Sequence, residues 1–209
     1  MFIVAITGYS ESGKDFVADH FVKHHSFKKY ALATTIKQMV ANQNNLTLAD
    51  IEKLKNDPTT TIRQQLQFVG QDHIKTHGPA YWVEQTVKRI YQNNEPENQC
   101  LVLSDVRNIY EYIALCQEFE RENVILVYVN KPALDLSKPK YQHETELSVK
   151  LLYSLADYVF TNNVQVSPDE LNALFNPLEV LYDSVTRYNK APQVYIKASK
   201  CLAVLKGQL

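Results

Sequence analysis

Phe2-Ile-Val-Ala-Ile6 is a continuous apolar run rich in β-branched residues, and it passes through Thr7 straight into Gly8-Tyr-Ser-Glu-Ser-Gly-Lys-Asp15. Such a run reads as a strand buried on both faces. After Gly13 the period changes, and Val17, Ala18, Phe21 and Val22 fall on one stripe of a helix that ends near His24-His25. Strand, glycine loop and helix in that order leave few folds open. Backbone N–H groups from Tyr9 to Lys14, including those of Ser10, Glu11, Ser12 and Gly13, can converge there on phosphate oxygens, helped by the positive end of the helix dipole. Gly8 permits the tight turn out of the strand, Gly13 lets the backbone approach an anion, and Lys14 reaches the outer phosphates as a point charge. The two glycines and the lysine have the spacing of a phosphate-binding loop, but Asp15 stands where the pattern has Ser or Thr. A hydroxyl at that position is ordinarily a ligand of Mg²⁺, and a carboxylate oxygen can serve the same hard ion directly or through a coordinated water. The other reading of Asp15 is a charge that complements the helix dipole.

Further apolar runs at 29–32, 100–104 ("CLVLS"), 124–129 ("VILVYV") and 158–160 predict four more core strands. Strands alternating with helical patterns imply an α/β fold, a five-stranded parallel sheet with helices on both faces, three layers in all. Ligands of such sheets bind beyond the carboxyl ends of the strands, where the glycine loop and Ser104-Asp105 both lie. Residues 34–95 hold helical patterns without a strong strand, including 49–55 and 61–69, and read as a helical insertion. Residues 131–145 are rich in Pro and Lys without periodicity and read as a long mobile loop beside the site. The expected organisation is therefore a single domain, with core segments 1–33, 96–130 and 146–176, the insertion, the loop, and a C-terminal extension over 177–209. In that extension Val194, Ala198, Cys201, Leu202 and Leu205 form an amphipathic pattern that permits packing on the domain or a homodimer contact.

At 209 residues and a formal net charge of -1, the chain lacks the basic excess expected of a protein that binds polymeric nucleic acid. Phosphates must then be held locally. No stretch is long and apolar enough to span a bilayer, so no membrane association is expected. Cys100, Cys116 and Cys201 form neither a disulfide framework nor a metal pair. They read as reduced and buried, which favours a cytoplasmic location.

Asp105 and Arg107 follow the strand in "LVLSDVRNIYEY". An acidic residue there can hold the water shell of Mg²⁺ or orient an acceptor, and Arg107 can grip a phosphate through two parallel hydrogen bonds. The alternative is Asp105 as a helix N-cap and Arg107 as a surface charge. Trp82 suits stacking on a base or packing in a core. His73 and His77 share a helix face at i,i+4, but Gly78-Pro79 ends the helix and no third metal ligand is evident.

The "SGKD" of the loop resembles that of two related groups of P-loop kinases, the phage-type deoxynucleoside monophosphate kinases and the animal-type phosphomevalonate kinases. Phe16 matches the latter and departs from the Thr common in the former. The block "RQQLQFVGQDHIKTHGPAYWVEQ" at 63–85 is more similar to the deoxynucleotide group, with Arg63, Leu66, Gln67, Gly70 and Trp82-Val83 in step. "SDVRN" is similar to blocks of both groups. "YQHETELSVKLLYSLADYVFTNN" resembles the stretch that follows the lid in both, with His143, Glu144, Glu146, Asp157 and Asn162 in register.

The resemblance implies a P-loop NTPase fold in which ATP and Mg²⁺ are the cofactors and the segment 131–145 is a lid. It implies a small-molecule substrate, a deoxynucleoside monophosphate, with Arg63 on its phosphate, Gln67 on its base and Lys75 where the family tends to carry Arg. Asp15 and Asp105 would lie near the metal, and Lys14, Asp15 and Asp105 would carry the catalysis. Lid arginines of the family are missing here, leaving Lys131, Lys138 and Lys140, with His143 behind them. These lysines either neutralise developing charge or belong to a solvated loop. The competing expectations are a phosphomevalonate kinase and a nucleotide-binding protein without transfer activity.

Overall fold

The computed structural model describes residues 1–95, 99–142 and 144–162, with the side chains at 140, 144 and 145 outside that description. His143 and the C-terminal amphipathic pattern therefore lie outside the described residues. Five strands, β1 (Phe2–Thr7), β2 (Lys28–Tyr30), β3 (Cys100–Leu103), β4 (Val124–Asn130) and β5 (Tyr158–Thr161), form one sheet in the order β2-β3-β1-β4-β5. The pairings of β1 with β3, β1 with β4 and β4 with β5 are parallel, with Phe2 opposite Cys100, Ile3 opposite Val124 and Val127 opposite Tyr158. The expected α/β class is the one observed. β2 ends two residues earlier than its apolar run suggests, because Leu32 is already the N-cap of a helix.

The chain divides into two compact units, one of Met1–Lys29 with Asn98–Leu209 and the other of Tyr30–Glu97. Among the described residues of the first, the helices are α1 (Lys14–His25), α6 (Ile109–Phe119) and α7 (Glu144–Tyr153). All six residues of β1 are buried, as a continuous apolar run requires of a central strand. Phe2, Val4 and Ile6 pack with Val17, Ala18 and Phe21 of α1 and with Phe27, Val102, Ile125, Val127 and Phe160. Each such large side chain contributes roughly 1.5–3 kcal/mol by leaving water. Ile3 and Ala5 alternate to the opposite face, and α6 packs against β1 and β4. Val22, expected on the buried stripe of α1, is 41% exposed, so the stripe is narrower than its period suggests. Cys100 and Cys116 are unbridged thiols, half-buried rather than buried.

The second unit is helical, made of α2 (Ala33–Asn44), α3 (Leu48–Leu54), α4 (Ile62–His77) and α5 (Tyr81–Gln92). Val40, Ala41, Ile51, Ile62, Val69, Trp82, Val83, Val87 and Ile90 fill its interior. Thr47 and Asp50 close a reciprocal cap at the start of α3. Gly78, with φ of 99°, ends α4, and Pro79 prevents its continuation. Among the described residues no helix is long and apolar enough to cross a membrane.

Candidate active site

The loop between β1 and α1 is shaped around its glycines. Gly8 has φ of 142°, and a Cβ there would lie 2.5 Å from the Val129 carbonyl oxygen and 2.8 Å from Ser12 Oγ. Gly13 has φ of 100° and caps α1, and a Cβ there would collide with Asn162 Nδ2. That amide donates to the Ser12 carbonyl at 2.8 Å, while the backbone N–H of Asn162 donates to Asn130 at 2.7 Å. Asn162 thus ties the loop to the end of β5. Its register was legible in the sequence; its role as a brace was not.

Lys14 is buried, 8% exposed, and its ammonium donates to the carbonyl oxygens of Gly8 and Tyr9 at 2.8 and 2.7 Å. Burial, and then the neighbouring Arg107 guanidinium, bring its pKa down to about 8 against the opposing pull of Glu146, Asp105 and Asp15. Asp15, the next residue, sits in the first turn of α1 with its side chain 80% exposed and accepts from Lys29 Nζ at 2.8 Å. Lys29 also holds Asp19 at 2.9 Å. A metal at Asp15 would share its carboxylate with Lys29 or displace that lysine, the latter a small cost for an exposed ion pair.

The segment after β3 is pinned by the Val106 N–H, which donates to Ile6 O at 3.2 Å. Asn108, and not Asp105, caps α6: its side chain accepts from Glu111 N–H, while Glu111 Oε2 accepts from the N–H groups of Asn108 and Arg107 at 3.1 and 2.7 Å. This corrects the N-cap alternative and leaves Asp105 outside the cap. Burial pushes the Glu111 carboxyl up to about 7, with Asp105 adding to the rise and the two backbone donors opposing it. Arg107 Nη1 donates to Glu146 Oε1 at 2.8 Å, and Glu146 Oε2 accepts from the Ser10 N–H at 2.8 Å. Glu146 is 5% exposed. One carboxylate therefore bridges the glycine loop and the arginine beyond β3.

Segment 131–145 departs from a featureless mobile loop. Residues 139–141 form a short 3-10 turn, Tyr141 is 2% exposed, and its ring meets Tyr9 edge-on at 5.9 Å. Lys131 Nζ donates to Glu11 O at 3.3 Å, whereas Lys138 is exposed. Pro-Lys-rich composition hid Tyr141, whose ring anchors the segment. Asp157 accepts from Arg121 at 2.6 Å and from the Leu126 N–H at 2.8 Å, so it joins β4 to β5.

The donor set suits a nucleotide with Mg²⁺. Thr7 Oγ1 and Ser12 Oγ are buried without a hydrogen-bond partner, which a phosphate-binding loop can use. Mg²⁺ takes one or two carboxylates and completes its shell with phosphates and water. Asp15 and Asp105 are both near enough to Lys14 to act on its charge. Among the described residues no group of three or more His, Cys, Asp or Glu forms a metal site by itself, which includes the His73 and His77 pair.

In the helical unit, Arg63 and Gln67 stand exposed one turn apart on α4, with Lys75 exposed further along it. Trp82 is 2% exposed, its indole N–H donates to Gly70 O at 3.0 Å, and its ring meets Tyr81 and His73 edge-on. The structure thus places Trp82 in the core, away from the base stacking expected of a substrate-binding residue. Gln43, Thr61, Gln64, Gln65, Phe68 and Val69 line an open cavity of about 280 Å³ beside α4.

No family model and no curated protein sequence matches the chain. Among solved structures, shikimate kinase from Aquifex aeolicus is similar at 15% identity and a TM-score of 0.44, covering 88% of this chain and 98% of that one. A sugar kinase from a Janibacter species is similar at 12% identity and a TM-score of 0.46, over 86% of this chain and 95% of that one. Shikimate kinase from Acinetobacter baumannii, solved with shikimate, is 13% identical with a TM-score of 0.39, over 86% and 94%.

Proposed function

We propose that the protein transfers the γ-phosphoryl group of ATP to the phosphate of a deoxynucleoside monophosphate. The observation that carries the phosphoryl-transfer reading is the buried Lys14 ammonium on a glycine loop that is braced by Asn162 and faces Arg107 and Asp105. The acceptor class is supported by the resemblance of residues 63–85 and by Arg63 and Gln67 sharing an exposed turn of α4. Lys14 and the loop amides would hold the ATP phosphates. Asp15 and Asp105 would hold Mg²⁺, which when bound neutralises charge on the transferring group. By the resemblance Arg63 would hold the acceptor phosphate, and Arg107 is a further cation able to grip a phosphate. Because that acceptor is already anionic, the site needs positioning and charge screening more than a strong base. Closure of 131–145 would exclude water from the reacting groups.

The test is ADP release from ATP and Mg²⁺ with each deoxynucleoside monophosphate, each ribonucleoside monophosphate, phosphomevalonate, or no acceptor. We expect turnover with at least one deoxynucleoside monophosphate and a loss of about a thousandfold or more in Lys14→Ala. Turnover with phosphomevalonate alone moves the reading to the other resembled group. ATP binding without turnover on any acceptor defeats the kinase reading.

A further inference from the structure

We propose that Glu146 is the resident counter-anion of the glycine loop, displaced by an incoming polyphosphate, and that its displacement releases Arg107 for the acceptor. This rests on the reading of Gly8–Lys14 as a polyphosphate loop. Glu146 is 5% exposed, and its two oxygens each take a donor that phosphate chemistry would use: the Ser10 N–H at 2.8 Å and Arg107 Nη1 at 2.8 Å. A backbone N–H lies within the span of amides that would address a phosphate, and it serves one strong acceptor at a time. A phosphate oxygen arriving at Ser10 therefore meets a buried carboxylate of like charge, and one of the two anions must leave.

The surrounding charges explain why a carboxylate is kept there. Arg107 and the loop amides put positive charge beside Lys14, and Glu146, Asp105 and Asp15 act on that lysine in the opposite sense. Glu146 neutralises this group and holds it in order, as a bound anion would. The Lys14 ammonium is meanwhile turned onto the carbonyls of Gly8 and Tyr9. Exchange of Glu146 for polyphosphate would leave the Arg107 guanidinium without its carboxylate, able to take the second anion. Filling the donor site then strengthens binding at the acceptor site, a coupling between the two.

The decisive experiment is calorimetric titration of tripolyphosphate, without Mg²⁺, into the wild type, Glu146→Gln and Lys14→Ala. Gln keeps the shape and an acceptor for Ser10 but removes the competing charge, so Glu146→Gln is expected to bind about tenfold more tightly. A carboxylate that only supports the structure would lose affinity on replacement. Unchanged or weaker binding by Glu146→Gln, with binding that still depends on Lys14, overturns the proposal and leaves the loop reading standing. Absence of binding in both wild type and Glu146→Gln overturns the loop reading and the proposal with it. Nuclear magnetic resonance of the wild type gives a second measurement that needs no folded variant. The Ser10 amide and the Arg107 guanidinium resonances should shift together as tripolyphosphate is added, and a Ser10 shift with Arg107 unmoved overturns the exchange.

Discussion

The two compact units handle polar groups in opposite ways. Around the glycine loop, Thr7, Ser12, Lys14, Ser104, Glu111 and Glu146 are all buried, whereas in the helical unit Thr86 is the buried polar residue among those described. Thr86 merely returns its hydroxyl to Trp82 O at 2.9 Å. Arg63, Gln67 and Lys75 stand in the open, and Phe68 beside them is 69% exposed. Screening charge on a transferring phosphoryl group needs fixed, partly dehydrated dipoles and cations. Holding an acceptor that enters and leaves needs groups that are reachable. The first unit carries the desolvation cost of its buried polar groups, and the second is an ordinary apolar core with a polar surface.

Trp82→Ala attacks the helical unit at its largest apolar contact and should destabilise it by ~3–5 kcal/mol, seen in urea unfolding. If the contrast holds, tripolyphosphate affinity of the protein that remains folded is unchanged. Loss of that affinity would mean that the loop depends on the insertion's core.

Glu111 tests the buried-charge side. Its carboxyl is raised from 4.5 to about 7 by burial, so the native state binds the proton more tightly than the unfolded chain does. Its stabilising contribution is full below pH 4.5 and is lost as pH rises through 7, on the order of 3 kcal/mol. Glu111→Gln keeps an acceptor for Arg107 and Asn108 and should remove that slope, gaining stability over the wild type at pH 8 but not at pH 4.5. Parallel unfolding curves at both pH values would contradict this.

Gly13→Ala forces a side chain into left-handed backbone and onto Asn162, and should cost about 2 kcal/mol with weakened ATP binding. Replacing Asn162 by Ala in the same chain removes the collision and should recover part of the loss, measured by melting temperature. Arg63→Ala is the mildest, since the residue is exposed. It should raise KM for the acceptor about tenfold while leaving ATP affinity and stability near wild type. Equal weakening for ATP would place Arg63 on the donor instead.

Local chemistry made the strands legible. The apolar runs at 2–6, 100–104, 124–129 and 158–160 can be buried only in a layered sheet, and the glycine loop between a strand and a helix is a short-range pattern. Position in three dimensions left other features unreadable. For Trp82 the sequence favours packing over stacking without deciding it, because a helical stripe does not say which face is covered. The sequence leaves a cap open as the alternative role of Asp105, and the structure gives that place to Asn108 with Glu111. Segment 131–145 reads as mobile because low periodicity cannot reveal that Tyr141 is buried against Tyr9.

By itself the sequence determined the α/β class, the loop with its lysine, and the helical character of residues 34–95, all of them consequences of periodicity and of backbone freedom at glycine. Tertiary structure alone decided which charges are buried and with whom. Ser10, Arg107 and Glu146 are brought together from three separate segments, and a bridge between residues 136 positions apart leaves no trace in local sequence. Burial then turns an ordinary lysine and an ordinary glutamate into groups whose protonation shifts, because desolvation is a property of the assembled fold.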